Sequence, residues 1–258
     1  VRIVILAAVI FTPCGGVLAD WDVGDPCLYS QLPDTAGWDV YSEWQYGAAD
    51  DWTATSTALI TDIHFWGSWK YDVVGDMGNL LIQIFDNDTS NPSFPKPGNQ
   101  LWEYVAAEGT YTTKKFDNIG WQGWYDPRGP YDEWGEAHNH QDMYQYNIIL
   151  NNLPEEERFE QVEGQTYWLQ ISSNYEGCLW GWKTTTQPSG ATAVFWDKWG
   201  YWGWNWQQLY EPLKWCQEEC YPPREPLPLG MAFVITPEPA TLLLLAAGAA
   251  VVLRKRKM

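Results

Sequence analysis

The sequence predicts an all-β protein: an antiparallel β-sandwich of jelly-roll kind, with a signal helix at the N-terminus and a hydrophobic helix at the C-terminus. Three observations lead there. Residues 57–66 (TALITDIHFW) alternate with a period of two, similar β-rich runs recur between clusters of Gly, Pro, Asn and Asp, and no long run in the body has a helical period.

Taken in order, Arg2 gives a small positive start, residues 3–11 an apolar core, and Val17-Leu18-Ala19 a small-residue exit before Asp20. Residues 1–19 therefore read as a secretory signal peptide. Residues 20–236 form one body, because no Ser, Gly or Pro linker divides them. Its first clear strand is 57–66, with Leu59, Thr61, Ile63 and Phe65 on one face. Residues 80–85 (LLIQIF) follow, closed by the turn-forming Asp86-Asn87-Asp88. Further strands are expected at 100–106, 110–118, 141–150, 166–173, 181–185, 191–196 and 229–235. The Pro-rich stretch 91–98 reads as a surface loop. Residues 155–161, after Pro154, read as one marginal helical turn, too short and acid-rich to stand alone. The last strand delivers the chain directly to Pro237.

The chain carries a formal net charge of −18, and most of its end-segment charges are cationic, so the body is more acidic still. Such a surface repels nucleic acid and offers no basic groove for phosphates, while it gathers cations, including Ca2+. Cys14 leaves with the signal peptide. Cys27, Cys178, Cys216 and Cys220 then remain in an oxidising compartment, where four thiols allow three pairings. Cys216 with Cys220 closes a small loop and Cys27 with Cys178 is its complement, but the spacing leaves the alternatives open.

Nineteen tryptophans in 258 residues are more than one sandwich core consumes. An indole offers a rigid apolar face and one N–H donor, which suits stacking on sugar rings. The densest group contains Trp199, Trp202, Trp204 and Trp206, the last three sharing one face if the segment is extended. A second contains Trp121, Trp124 and Trp134 beside several carboxylates. Both are candidate carbohydrate contacts, weighed against an apolar cluster packed under loops. His138, His140 and Asp142 are weak metal candidates, since alternate residues of an extended segment point the same way. Paired carboxylates for glycoside hydrolysis are available from Asp50 with Asp51, Asp126, Glu133 or Asp142, but no nucleophile elbow, phosphate loop or HExxH helix occurs.

At the C-terminus Pro237-Glu238-Pro239 precedes an uncharged run over residues 240–253 and then Arg254, Lys255, Arg256 and Lys257. Fourteen residues make about 21 Å of helix against a hydrocarbon core of about 30 Å, so the span is short unless Arg254 and Lys255 snorkel. The order of motif, apolar segment and basic cluster over residues 237–258 resembles the PEP-CTERM sorting signal. That resemblance implies an exosortase-type membrane protease as partner, membrane anchorage by the C-terminal helix, and delivery to the cell surface or release. Gly47-Ala48-Ala49-Asp50-Asp51-Trp52, residues 60–69, Trp180-Gly181-Trp182-Lys183 and residues 231–235 resemble an uncharacterised ectodomain that accompanies such signals in bacterial surface proteins. It implies a β-sandwich and a location, with no activity attached. The expectation is a non-enzymatic surface protein that associates with extracellular polysaccharide through tryptophans. A glycan-active hydrolase or lyase and a purely structural matrix component are the alternatives.

Overall fold

A computed structural model describes residues 20–128, 135–197, 205–212 and 226–237. The two expected terminal helices lie outside the described residues. Sixteen strands are described: β1 (Tyr29–Gln31), β2 (Trp38–Tyr41), β3 (Tyr46–Thr53), β4 (Ala58–Trp69), β5 (Leu80–Asp88), β6 (Lys96–Ala106), β7 (Tyr111–Phe116) and β8 (Gln122–Tyr125). Then come β9 (Gly135–His140), β10 (Met143–Ile149), β11 (Glu160–Gln161), β12 (Thr166–Ser173), β13 (Trp180–Lys183), β14 (Val194–Asp197), β15 (Trp206–Gln208) and β16 (Phe233–Pro237). The expected helical turn is a single 3-10 turn, Glu155–Glu157.

The strands form two sheets, as the alternation predicts. The smaller has the order β15-β14-β3-β12-β5-β6, antiparallel throughout. The larger is organised around β4, whose twelve residues are long enough to pair with two short strands along each edge. β16 and β13 share one edge, β10 and β11 the other. β1 pairs with β16, β7 with β10, and β13 continues through β2 and β8 to β9, with β2 and β8 parallel.

The core between the sheets follows from the period of two. Ile63, Phe65 and Trp69 on β4 point inward with Trp180, Trp182, Phe233 and Ile235 from its neighbours, all buried. Aromatic rings fill the space by edge and face: Phe65 stacks on Tyr146 at 5.2 Å, and Trp180 stands edge-on to both. Gly67 is required here, because a Cβ would lie 2.6 Å from the Trp180 ring and 2.4 Å from the Gly181 carbonyl. Eight of the described indoles, those of Trp21, Trp52, Trp66, Trp69, Trp124, Trp168, Trp180 and Trp182, are buried. Much of the tryptophan excess is therefore packing.

β16 is buried along its whole length between β1 and β4, and Pro237, opposite Ile60, ends it at a register shift. Proline donates no N–H, so a strand terminus is where a sheet tolerates it. The motif's first residue thus belongs to the folded body, one residue beyond the expected boundary at 236.

Cys27 and Cys178 both carry free thiols, so the bridge between them is not formed. The registers give the reason. Cys27 precedes Tyr29, which pairs with Ile235 opposite Ile63, whereas Cys178 precedes Trp180, which pairs with Trp69. Six residues of β4 separate those pairings, about 20 Å, against the 7 Å or so that a disulfide allows. Cys216 and Cys220 lie outside the described residues.

Candidate functional site

The outward face of the smaller sheet carries a groove of about 360 Å³. Its position follows from which residues alternate outward. Along one row across the sheet Val194, Ala49, Gln170, Gln83 and Glu103 are successive partners; in the flanking rows Trp196 lies opposite Gly47, and Phe85 opposite Trp168. The floor is low where β3 contributes only Gly47 and Ala49. A Cβ on Gly47 would lie 2.2 Å from Nε2 of Gln170, so the glycine lets that carboxamide lie flat across the strand.

Trp206 on β15 closes the groove. Its ring is 5.5 Å from that of Trp196 and 6.0 Å, edge-on, from that of Phe85. Yet β15 and β5 are four strands apart, about 19 Å in a flat sheet. Edge strand and sheet therefore curl toward one another, and the indole is held over the face. Trp44, exposed at 38%, enters from the β2–β3 turn, where its N–H bonds to the Ser173 carbonyl. Trp168 lies beneath, buried, its indole N–H donating to Asn87 Oδ1 at 3.0 Å.

Among the described residues the polar side chains that line the groove are carboxamides, with the Glu103 carboxylate beside them. Gln83 Nε2 donates to Gln100 Oε1 at 2.9 Å and Glu103 Oε2 at 2.8 Å, and Gln100 Nε2 reaches the same carboxylate at 3.2 Å. Among the described residues no Lys or Arg lines the groove. The result is a strip of four aromatic rings beside amides that both donate and accept hydrogen bonds.

Of the expected indole contacts, Trp206 is in the groove. Trp199, Trp202 and Trp204 lie outside the described residues, in the connection from β14 to β15, and Trp134 is also outside them. Trp121 and Trp124 do not form a second platform. Trp121 is 53% exposed and meets His138 edge-on at 6.2 Å, whereas Trp124 is fully buried beneath the Lys70 ammonium. The reason is register: Trp124 sits in β8 opposite Asp39 of β2 and is enclosed by the sheet, while Trp121 precedes the strand.

The metal candidates diverge. His138 takes a left-handed backbone, φ 54°, which breaks the alternation that would have aligned it with His140. His140 points inward to Asp39, and Asp142 accepts the Asn118 N–H at 3.0 Å and Lys115 Nζ at 2.7 Å. Among the described residues no three His, Cys, Asp or Glu side chains converge on one point.

Asp50 and Asp51 face opposite sides of β3, so they do not address a common cleft. Asp50 is buried inward, where its carboxylate accepts Gln31 Nε2 at 2.8 Å, the Met231 N–H at 2.6 Å and the Asp51 N–H at 3.0 Å. Asp51 points outward, accepts the Ala191 N–H at 2.7 Å, and abuts Gly190, where no Cβ fits. Burial and the neighbouring Asp51 charge push the Asp50 carboxyl well above its ordinary value, and burial lifts Asp51 to about 6. The pair fastens two loops to β3. Asp126 is likewise engaged, gripped by Arg128 at 2.6 and 2.9 Å.

An acidic two-sheet body with a shallow aromatic groove, leading without a stalk into Pro-Glu-Pro, defines a surface-sorted β-sandwich. Residues 236–257 match the PEP-CTERM protein-sorting motif, so this is an exported protein of the cell envelope, held by its C-terminal tail. The chain belongs to the family described as domain of unknown function DUF7901, matched over residues 27–236. No curated protein and no solved structure matches it.

Proposed function

We propose that the groove binds extracellular polysaccharide of neutral sugars, as a non-enzymatic contact between this envelope protein and the surrounding matrix. The observation that carries the reading is the meeting of Trp196, Trp206, Phe85 and Trp44 with Gln83, Gln100 and Gln170 in one open groove. Rings stack on the C–H faces of pyranoses and carboxamides exchange hydrogen bonds with hydroxyls. The Glu103 carboxylate beside the groove and a net charge of −18 disfavour uronate and sulfated polymers. The test is retention of the purified protein on insoluble neutral polysaccharides. Replacing a central ring, as in Trp206→Ala or Trp196→Ala, removes about 2 kcal/mol, or roughly 30-fold in affinity. Equal retention by both variants rejects the groove.

The eight buried indoles favour a second reading, a structural matrix component without glycan affinity. Absence of binding to every neutral polymer, with the fold intact, selects it.

A further inference from the structure

Asp39, His140 and Lys183 form a charged cluster whose side chains are fully buried, remote in function from the groove and unused by it. Asp39 on β2 and Lys183 on β13 are direct antiparallel partners, and Lys183 Nζ lies against Asp39 Oδ2. His140 Nε2 is 2.7 Å from the same oxygen. Both nitrogens converge on Oδ2, while Oδ1 has no hydrogen-bond partner among the described residues. Trp124 occupies the register position beside Asp39, and a Cβ on Gly181 would touch its ring at 3.0 Å, so indole and sheet enclose the cluster.

An isolated buried ion pair is an expensive arrangement, since desolvation of both partners offsets most of their attraction. We infer that Lys183 and Asp39 are joined by an intramolecular amide bond, formed by the folded protein itself. The pair is neutral overall, so moving the ammonium proton onto Oδ2 requires no proton from solvent, and a dry site favours the uncharged amine and acid. Burial lowers the Lys183 ammonium, only partly opposed by Asp39. Burial acts to raise the Asp39 carboxyl, but Lys183 and His140 bring it below its ordinary value, so the ion pair is the resting form and the uncharged acid and amine are the minor, reactive form.

The amine lone pair attacks Cγ of Asp39. With Nδ1 donating to Asn139 Oδ1, His140 Nε2 takes a proton from the attacking nitrogen and passes it to the protonated Oδ2, which leaves as water, and Oδ1 remains as the amide carbonyl. One C–N bond forms, one C–O bond breaks, one water is released, and the imidazole ends unchanged. No oxidant or other co-reactant is consumed. The product replaces two buried charges by one neutral amide and ties β2 to β13 covalently, a useful property for an envelope protein.

The experiment is peptide mapping and denatured mass measurement of the exported protein. Wild type is expected to give a branched peptide joining the Asp39 and Lys183 segments, lighter than their sum by one water. Lys183→Met and Asp39→Ala are expected to give only linear peptides. His140→Ala keeps both reacting groups, and freshly made protein is expected to lose water about 100-fold more slowly, the usual worth of a positioned acid and base. Linear Asp39 and Lys183 peptides from folded wild-type protein, without loss of water, would overturn the inference and leave an ion pair only. That result does not depend on whether any variant folds.

Discussion

Asp51→Asn is expected to stabilise the protein at neutral pH and not at pH 4. In the folded chain burial raises the Asp51 carboxyl to about 6, against an ordinary value near 3.8. A gap of that size corresponds to ~3 kcal/mol. Because the folded state holds the proton more tightly, it binds more protons than the unfolded chain between about pH 4 and 6. Stability is therefore fully present below that window and is lost as pH rises through it. Asp50, also raised by burial, extends the fall to higher pH. Asparagine keeps the Oδ1 acceptor for the Ala191 N–H and removes the charge, but its amide N–H2 costs about 1–3 kcal/mol if unmatched. The net expectation is a gain of about 1 kcal/mol above pH 7 and a loss of about 2 kcal/mol at pH 4, a swing equal to the ~3 kcal/mol of the shifted carboxyl. Urea unfolding midpoints of both proteins from pH 4 to 8 measure it. A difference between variant and wild type that is the same at every pH refutes the reasoning, because the shifted carboxyl would then have no part in it.

Three further outcomes follow from the packing. Gly47→Ala places a methyl against the free end of the Gln170 side chain, and it is expected to weaken polysaccharide retention severalfold while the unfolding free energy moves by no more than about 0.5 kcal/mol. Trp124→Ala empties a fully buried site and is expected to cost ~3–5 kcal/mol in chemical unfolding, whereas Trp121→Ala, at an exposed ring, stays within about 0.5 kcal/mol. Ile235→Ala in β16 is expected to cost ~2–5 kcal/mol and to raise amide exchange along β4, its neighbour.

The legible strands are those rich in β-branched, aromatic and other apolar residues between turn-forming clusters. β4, β5 and β12 fall where the pattern puts them, β16 begins four residues later than the expected 229–235, and the Pro-rich loop yields only its last residues to β6. β3 was hidden because its sequence, YGAADDWT, is poor in β-branched residues. Gly47 and Ala49 make the groove floor, Ala48 packs in the core and the two aspartates fasten loops, so small and acidic side chains stand where a strand signature would be. β9, GEAHNH, was hidden for a similar reason, since its buried His140 and Asn139 serve polar contacts. Of the groove residues, Trp206 is singled out in the sequence. Gln83, Gln100, Gln170, Phe85 and Trp44 are not, because they come from four separate parts of the chain and meet only through sheet register. The clue available in the sequence was a glutamine in the polar phase of two apolar strands, LLIQIF and YWLQIS, where a solvated charge is more usual.

The register of β16 also orients the groove. Glu238 and Pro239 alone separate Pro237 from the apolar run, about 7 Å when fully extended, so an anchored tail holds the Ile60 end of β4 close to the envelope. Ala58 at that end pairs with Gln161, whose Oε1 accepts the Trp52 indole N–H at 3.0 Å, which fixes the C-terminal end of β3 on the same side. Gly47 lies five residues back along β3, about 17 Å further from the envelope. Trp196 and Gln170 are held beside it, and Trp44 enters from the same end. The opening of the groove therefore lies at the distal end of the sandwich, while the membrane-side rim carries Glu155, Glu156, Glu157 and Glu160, which anionic headgroups repel. A tether this short presents the aromatic strip outward without any stalk, the geometry a matrix contact requires.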